Sequence, residues 1–351
     1  MAGVATLNTR VERLRESLDA PFLVTNPANV FYLAGFRSSN AGLLIEPERV
    51  RLFTDFRYRE AAAGVEGVEL VETPRSLVQG VAQHAEGRIA FEAATMTYAN
   101  WEALTAAGLE LVPTTGVVER LRAVKSDHEL AAIREACGIT DAVYAALREE
   151  RFVGRSERDL AWRMEQLFHE HGADALAFPL IVGSGPTGAL PHGRAGERVV
   201  DANTTVVVDA GCFVDGYASD CTRTFATGEL PDDLARAYEV CAEAQRDALA
   251  AVRAGARGSD VDAFSRAPIE SAGWSDKYGH GLGHGVGLLV HEAPTLRPES
   301  EDVLEAGNVV TVEPGIYLEG EGGVRIEDLV VVTEDGCEIL TRFTKELVTV
   351  R

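Results

Sequence analysis

Two pairs of acidic residues, each arranged symmetrically about a turn, most strongly constrain how this chain of 351 residues can fold. Asp209 and Asp220 lie equally far from a point between Val214 and Asp215, inside a turn signal that ends in glycine. Residues at equal distances from the centre of an antiparallel hairpin face each other across its strands. We therefore expect the two carboxylates on one side of a sheet, roughly 5 Å apart.

The second pair consists of Glu313 and Glu327, which are centred on Gly320 in a glycine-rich turn. A β-bulge in either hairpin would shift its register by one residue. Carboxylates that meet repel one another unless cations neutralise them or some of them hold protons. With His284 as a fifth ligand, these oxygen donors suit divalent manganese, cobalt or zinc. Carboxylates can bridge two ions, and a two-metal site makes a hydroxide nucleophile at neutral pH.

Histidines sharpen this prediction. Three of the eight in the chain, His280, His284 and His291, fall in one glycine-rich segment, and His192 lies in a loop before the Asp209 strand. Glycines let the backbone pass close to a site. Neutral imidazole can bind a metal or donate a hydrogen bond to a developing oxyanion. These residues therefore indicate a hydrolytic site.

Composition limits the partners and the compartment. The net charge of −22 argues against nucleic acid and anionic membranes as partners. The first residues lack an apolar signal region, and no apolar stretch of about 18 residues is present, so we expect no membrane span. The five cysteines form no C-x-x-C pair, which favours free thiols in a reducing cytoplasm.

The order of predicted elements indicates two domains, residues 1–122 and 123–351. The first alternates short strands and helices, which predicts an α/β domain with a mixed sheet. The second begins with a capping box at Ser126 and Glu129. It then contains two copies of a helix pair followed by strands, with one predicted strand at 286–291. Such a duplication would bring the two carboxylate pairs together at a pseudo-twofold axis.

Several segments resemble a known family. VVVDAG, DGYASDCTRTF, HGLGHGVGLLVHE, VEPGIYL and GGVRIED are similar to the metal-binding motifs of the M24 metallopeptidases. FLVTNPANVFYLAGF, LFTDFRYREAA and LRAVKSDHELAAIREA resemble the N-terminal domain and linker of prolidases and aminopeptidases P. The resemblance implies a creatinase/prolidase-like α/β domain followed by an α+β catalytic domain with the pita-bread fold. It also implies a homodimer.

The resemblance also implies roles for the five ligands, with two metal ions per subunit, most often Mn²⁺ and alternatively Co²⁺ or Zn²⁺. Asp209 and Asp220 would bind one ion, with Asp220 bridging. His284 and Glu313 would bind the second ion, and Glu327 would bridge both. Glu313 would also act on the bridging hydroxide and pass its proton to the leaving nitrogen.

Other residues match positions around the ligands. His192 and His291 would contact the substrate and stabilise the transition state, and Arg325 would fix ligand carboxylates. Phe178 and Tyr217 are candidates for an apolar wall that holds a proline ring.

The implied reaction is hydrolysis of the Xaa-Pro bond in dipeptides by a prolidase. The alternative is an Xaa-Pro aminopeptidase that acts on longer peptides, and a catalytically dead peptide-binding module is a third reading. Methionine aminopeptidases lack a full N-terminal domain, and creatinase-like hydrolases lack the metals. Thr295 departs from the pattern, because many relatives carry arginine in its place, and Arg297 lies two residues on. The choice between dipeptides and longer peptides therefore stays open.

Overall fold

The computed structural model describes the backbone of residues 2–351 and the side chains of residue 7 and residues 9–351; residue 1, the predicted start of the first domain, lies outside them. The chain divides into two compact units, one ending at Arg122 and one beginning at Ala123. No helix within the described residues combines the length and the apolar character that a membrane span requires.

The first unit is built on a six-stranded mixed sheet. Its helices are α1 Ala2–Arg15, α2 Pro27–Ala34, α3 Arg59–Ala63, α4 Leu77–His84, α5 Tyr98–Ala106 and α6 Val117–Ala123. Its strands are β1 Phe22–Val24, β2 Ala41–Ile45, β3 Val50–Asp55, β4 Glu69–Thr73, β5 Arg88–Glu92 and β6 Glu110–Thr114. The strand order is β4-β3-β2-β1-β5-β6, and β2 alone runs antiparallel to its neighbours. Leu23, Phe53 and Phe91 form part of its buried core.

The second unit contains four long helices and several small sheets. Its helices are α7 Asp127–Leu147, α8 Glu157–Glu170, α9 Asp232–Ala251 and α10 Gly258–Ser271. Its first strands are β7 Ala175–Leu176, β8 Ile181–Ser184, β9 Thr205–Ala210, β10 Cys212–Val214, β11 Tyr217–Ala218 and β12 Cys221–Ala226. The later strands are β13 Gly283–Gly285, β14 Glu292–Leu296, β15 Val309–Val312, β16 Gly315–Leu318, β17 Gly322–Arg325, β18 Asp328–Val332, β19 Cys337–Ile339 and β20 Val348–Thr349.

The predicted duplication is visible in the order of these elements. Helices α7 and α8 precede the sheet β20-β12-β9-β8, and helices α9 and α10 precede the sheet β14-β13-β15-β18-β19. Each helix pair buries apolar side chains against the strands that follow it. Tyr144 and Phe225 belong to the first core, and Val261 and Val330 belong to the second. Burial of such side chains is the main stabilising term in each half.

The helix boundaries follow from local capping. Ser126 precedes α7, and its backbone N–H donates to the Glu129 carboxylate at 2.8 Å, as the capping box predicts. Ser156 and Asp159 form the same arrangement at the start of α8. Pro268 lies inside α10, where it leaves one backbone carbonyl without its helical N–H partner.

The register of the first carboxylate hairpin differs from the prediction. The two turn residues are Asp215 and Gly216, with φ of 49° and 83°, so the hairpin centre lies one residue later than expected. Positive φ at both positions is the mark of a type I′ turn. Asp209 therefore faces Thr222 rather than Asp220, and the predicted direct pairing of the two aspartates was wrong. A shift of two residues preserves the side of the strand on which a residue lies.

The second hairpin has the predicted register. Val312 pairs with Asp328, and Gly315 pairs with Arg325, so both ladders are centred on Gly320. Glu313 and Glu327 lie at equal distances from that centre, between the two ladders. The segment 286–291 is not a strand, contrary to the prediction, because β13 ends at Gly285 and β14 begins at Glu292. It is a turn that joins them.

Candidate metal centre

Five candidate ligands from both halves of the second unit meet at one place. Asp209 lies on β9 and Asp220 directly precedes β12, while His284 lies on β13. Glu313 follows β15, and Glu327 lies between β17 and β18. The backbone N–H of Glu327 donates to the carbonyl of Thr222 at 3.1 Å, which joins the two halves beside the cluster.

The cluster has two parts that share one residue. Carboxylate oxygens of Asp209, Asp220 and Glu327 lie within 4.8 Å of one another. His284 Nε2 lies 3.2 Å from Glu313 Oε1 and 3.9 Å from Asp220 Oδ2. Asp220 therefore stands between a group of three carboxylates and a histidine–glutamate pair.

The acidity of these groups reflects their crowding. Burial, followed by the charges of neighbouring carboxylates, raises the pKa of Asp220 and of Glu327 well above the usual range. Burial also raises the pKa of Asp209, although Arg325 opposes the shift. Burial acts in the same direction on Glu313, but the hydrogen bond and charge of His284 outweigh it and lower that pKa to about 2.

Two buried oxygens indicate what the cluster is built to hold. Asp209 Oδ1 and Glu327 Oε1 are buried and make no hydrogen bond to any described residue. Buried polar atoms in folded proteins are otherwise almost always paired. Both atoms belong to the crowded carboxylates whose charges repel. A divalent cation would satisfy the two oxygens and relieve the repulsion, so the residues present fit metal ions.

His284 is oriented so that its Nε2 faces the carboxylates, as a metal ligand would be. Its Nδ1 lies 3.1 Å from the carbonyl oxygen of Gly285, which can only accept, so Nδ1 carries a proton. The Nε2 atom is then directed toward Glu313 and Asp220. Burial lowers the pKa of His284, but the hydrogen bond with Glu313 reverses this and leaves the pKa above its ordinary value.

Arg325 links the carboxylates to their surroundings. Its Nη2 donates to Asp209 Oδ2 at 2.7 Å, and its Nε donates to Thr222 Oγ1 at 3.0 Å. Thr222 in turn donates to Glu327 Oε2 at 2.7 Å. Nη1 of Arg325 donates to the hydroxyl of Tyr317 at 2.9 Å and to the carbonyl of Pro191 at 3.2 Å. The arginine therefore orients two candidate ligands at once.

Tyr317 and Thr311 take part in this site and were not recognised from the sequence. The Tyr317 hydroxyl lies 2.9 Å from His280 Nε2, and burial raises its pKa to about 12. Thr311 Oγ1 donates to Glu313 Oε1 at 2.9 Å and accepts from the backbone N–H of His284 at 3.0 Å. Thr311 lies two positions before Glu313, and this alternation on a strand is the signal that could have identified it.

His291 and His192 lie at the exposed side of the cluster. The rings of His291 and His284 are edge to face with centroids 4.3 Å apart, and burial followed by the charge of His284 lowers the pKa of His291. His192 is exposed. It directly follows Pro191, whose carbonyl accepts from Arg325.

The two aromatic candidates differ in their surroundings. Phe178 is half-buried, and a Cβ on Gly211, two residues after Asp209, would lie 3.2 Å from its ring. Tyr217 is buried, and its hydroxyl donates to Glu129 on α7 at 2.8 Å. The phenol of Tyr217 is thus engaged within the fold.

Thr295 faces His284 directly across the β13–β14 ladder. Its backbone N–H and its hydroxyl both donate to Asp302 Oδ2, at 2.7 and 2.9 Å. Arg297 is exposed. The position where the resemblance leads us to expect arginine is therefore occupied by a neutral side chain that is turned toward a carboxylate.

Comparisons with known proteins identify the family of both units. Residues 131–334 match the model of metallopeptidase family M24, and residues 10–124 match the creatinase/prolidase N-terminal domain. The chain is 33% identical to the Xaa-Pro dipeptidase of Pyrococcus furiosus over 350 residues, which cover 97% of this chain and 100% of the relative.

Solved structures of related peptidases have the same fold as this chain. An Xaa-Pro dipeptidase from Bacillus anthracis superposes with a TM-score of 0.95 at 38% identity, covering 98% of this chain and 100% of that one. An X-Pro aminopeptidase from Thermotoga maritima has a TM-score of 0.87 at 32% identity, covering 96% and 100%. These matches confirm the expected fold, a creatinase-type N-terminal domain followed by a pita-bread catalytic domain. The chain therefore belongs to metallopeptidase family M24, whose members use divalent metal ions.

Proposed function

We propose that this protein is an Xaa-Pro dipeptidase, which hydrolyses the bond between an N-terminal residue and proline in dipeptides. The observation that carries the proposal is the convergence of five ligand side chains around two buried, unpartnered carboxylate oxygens. Relatives named as Xaa-Pro dipeptidases align over nearly the whole chain. Small peptides with proline second are accordingly the expected substrates.

Two metal ions per subunit fit the two parts of the cluster. Asp209, Asp220 and Glu327 would hold one ion, and His284 and Glu313 would hold the other with the bridging residues Asp220 and Glu327. We expect Mn²⁺, with Co²⁺ or Zn²⁺ as alternatives that suit the same donors. Bound there, the ions polarise the scissile carbonyl and lower the pKa of water.

Glu313 is the proposed proton carrier. Its carboxylate lies within the cluster, 3.2 Å from His284 Nε2, where it can accept a proton from the attacking water. It then delivers that proton to the nitrogen of the departing proline. The hydrogen bond from Thr311 holds the carboxylate in one orientation during both transfers.

His192 and His291 are the proposed substrate-binding groups. The lowered pKa of His291 keeps its ring neutral at neutral pH, and a neutral imidazole still carries one N–H that can donate to the carbonyl oxygen as charge develops there. Arg325 keeps Asp209 and Glu327 in place, the latter through Thr222. Phe178 and Tyr217 are proposed to supply the apolar wall for the proline ring.

An Xaa-Pro aminopeptidase acting on longer peptides is the second candidate. The solved X-Pro aminopeptidase of similar fold and the neutral Thr295 both favour it. A comparison of kcat/KM for Ala-Pro and Ala-Pro-Ala, with metal-loaded protein, separates the two. We expect a preference for the dipeptide of at least about tenfold. A preference for the tripeptide of that size would instead assign the aminopeptidase activity.

A catalytically dead binding module is distinguished by metal analysis of the purified protein. We expect about two divalent ions per chain and metal-dependent hydrolysis. Absence of both would favour a binding role.

The remaining assignments rest on the family resemblance and on the thiols. We propose a homodimer and a domain boundary between residues 122 and 123. The five cysteines, all within the described residues, are free, and four are buried. Unpaired thiols are typical of a reducing compartment, which supports a cytoplasmic location.

A further inference from the structure

The loop that carries His192 is long and has little regular structure. This histidine loop, residues 185–198, runs from the end of β8 to Val199, which forms a β-bridge with Ser156 before β9 begins at Thr205, and it contains only one short 3₁₀ turn at Gly185–Thr187. Loops of this length are mobile unless other parts of the protein hold them. A histidine that must meet a substrate within a fraction of an ångström therefore needs a firmly held backbone.

Glu157 holds both ends of the histidine loop. It is the first residue of α8 and is completely buried. Its Oε1 accepts hydrogen bonds from the Ser184 N–H at 2.8 Å, from the Ser184 hydroxyl at 2.9 Å and from the Thr187 hydroxyl. Its Oε2 accepts from the Gly196 N–H at 3.2 Å. One carboxylate thus joins the start of the loop to its end.

Backbone contacts reinforce the same junction. The Glu157 N–H donates to the Arg198 carbonyl at 2.9 Å, and the Arg158 N–H donates to the Gly196 carbonyl at 3.0 Å. The four donors to the Glu157 carboxylate are all neutral, and the N-terminus of α8 favours a negative charge at this position. The carboxylate is therefore held by the loop and the helix together.

The tip of the loop is held from the opposite side. Arg325 donates to the carbonyl of Pro191, the residue before His192. The Gly188 carbonyl lies against β17, where a Cβ on Gly323 would be only 2.0 Å from it. With its two ends fixed by Glu157 and its tip fixed by Arg325, the loop has a defined path past the metal ligands.

We propose that Glu157 is a positioning residue that fixes the histidine loop and thereby the place of His192. The proposal rests on the proposed function, because it gives His192 a substrate to contact. The hydrogen bonds of the Glu157 carboxylate within the described residues go to Ser184, Thr187 and Gly196 and not to the five candidate ligands, so it acts on the reaction through the loop.

Glu157→Gln is the most selective variant. The amide oxygen can replace Oε1 and keep its three donors, but the amide NH₂ then faces the Gly196 N–H in place of Oε2. Two donors oppose each other, and the end of the loop is released. Glu165→Gln is the matched control, because it makes the same chemical change on α8 at a side chain outside the capping box and outside the contacts with the loop.

Amide hydrogen exchange and kinetics test the proposal together. In Glu157→Gln we expect exchange in residues 185–198 to rise about tenfold, the effect of one lost hydrogen bond. We expect kcat/KM for Ala-Pro to fall about ten- to a hundredfold, with Mn²⁺ affinity unchanged. Glu165→Gln should change none of these values. In a His192→Ala background, Glu157→Gln should have no further effect on kcat/KM.

The outcomes separate this proposal from the proposed function. The positioning role would be overturned if Glu157→Gln lowered kcat/KM equally in the presence and absence of His192. It would also be overturned if amide exchange in the loop of Glu157→Gln stayed at the wild-type rate. If wild-type protein hydrolyses neither peptide, the proposed function fails, and the exchange comparison still decides whether Glu157 holds the loop. Should Glu157→Gln fail to fold, Thr187→Val removes one loop donor at nearly constant volume and is judged by the same measurements.

Discussion

Glu313 differs from its neighbours in the cluster because its pKa is lowered to about 2, whereas the pKa values of Asp220 and Glu327 are raised. The difference arises from His284, whose Nε2 lies within hydrogen-bonding distance of Glu313 Oε1, at 3.2 Å, but 3.9 Å from Asp220 Oδ2. A single imidazole therefore divides the acidic side chains into one that is ionised at neutral pH and others that hold protons more readily.

Replacing Glu313 by Gln should abolish turnover and preserve the fold. Gln keeps the volume and can still accept from Thr311, but it cannot take up a proton. We expect kcat for Ala-Pro to fall by about 10³-fold or more, with an unchanged circular dichroism spectrum. Glu319→Gln, the same change at an exposed residue of the neighbouring turn, is the control. Near-normal turnover in Glu313→Gln would exclude its role as proton carrier.

Arg325→Lys should weaken metal binding. Lysine keeps the positive charge but lacks the planar fork that reaches Asp209, Thr222 and Tyr317 together. Loss of a residue that orients metal ligands typically reduces metal affinity by about ten- to a hundredfold. Calorimetric titration of metal-free protein with Mn²⁺ measures the change, with Arg342→Lys at an exposed site as control. An unchanged affinity would show that the arginine does not orient the ligands.

Among the elements of the fold, the turn between β13 and β14 holds His291 in place. Glu292 directly follows this histidine, and its Oε1 accepts from Lys125 Nζ at 3.0 Å in a pair whose side chains are only 5% and 1% exposed. The carboxylate occupies the space beside Gly287, where a Cβ would lie 2.2 Å from Oε1. A Cβ at position 287 would therefore displace the Glu292 carboxylate from its place beside Lys125.

Glu292→Gln should destabilise the protein, because it removes the buried negative charge that lies 3.0 Å from Lys125 Nζ. We expect the free energy of unfolding, measured with denaturant, to fall by about 3–5 kcal/mol. Glu338→Gln, which breaks the exposed pair with Arg134, should cost less than about 1 kcal/mol. Replacing Lys125 and Glu292 together by Met and Leu should restore much of the loss. Equal effects of the two single Gln variants would contradict this account.

The sequence predicted some elements better than others for physical reasons. The hairpin around Gly320 had the expected register because one glycine with φ of 82° marks its centre. The hairpin around Asp215 was misplaced by one residue, because Asp and Gly together form its two-residue turn. The apolar run 286–291 resembled a strand. In the structure the short strand β13, which precedes this run, pairs with β14, and a bulge after His284 changes the direction of the chain.

The site itself was predicted as far as local patterns reach. The five candidate ligands carry chemistry that a single sequence can indicate, and they meet in the structure. Glu157 could not be found in this way, because on the sequence it is one more acidic residue in the first turn of a helix. Its partners at Ser184 and Gly196 are 27 and 39 residues away and become neighbours only through the path of the loop.

At the scale of the whole molecule, the raised pKa values connect stability to pH. An acid whose pKa is higher in the folded than in the unfolded chain binds more protons when folded, so stability falls as pH rises from about 4 through the raised values. The raised pKa values of Asp220 and Glu327 act in this direction, and that of His284 does so above about pH 6.5. The lowered pKa values of His280 and His291 make stability rise with pH, but only below about pH 6.5.

We therefore expect metal-free protein to lose thermal stability as pH rises from about 6.5 to about 8, and added Mn²⁺ to raise Tm by more at the higher pH. Metal ions displace the protons of the crowded carboxylates and compete best where those protons are few. Thermal unfolding of metal-free and metal-loaded protein across this range measures both effects. Asp220→Asn should weaken the pH dependence of the metal-free protein. A difference in Tm that does not vary with pH would contradict the linkage.

The convergence of both halves on one cluster has a consequence for biosynthesis. Asp209 and Asp220 emerge from the ribosome about a hundred residues before Glu313 and Glu327. The buried Arg223 can donate to its acceptors, the carbonyls of Phe343 and Thr344, only after those residues have been synthesised. A nascent or truncated chain that ends before residue 327 has at most four of the five ligands. A hydrolase assembled in this order stays inert during its own translation and becomes active only as the last strands close the second half.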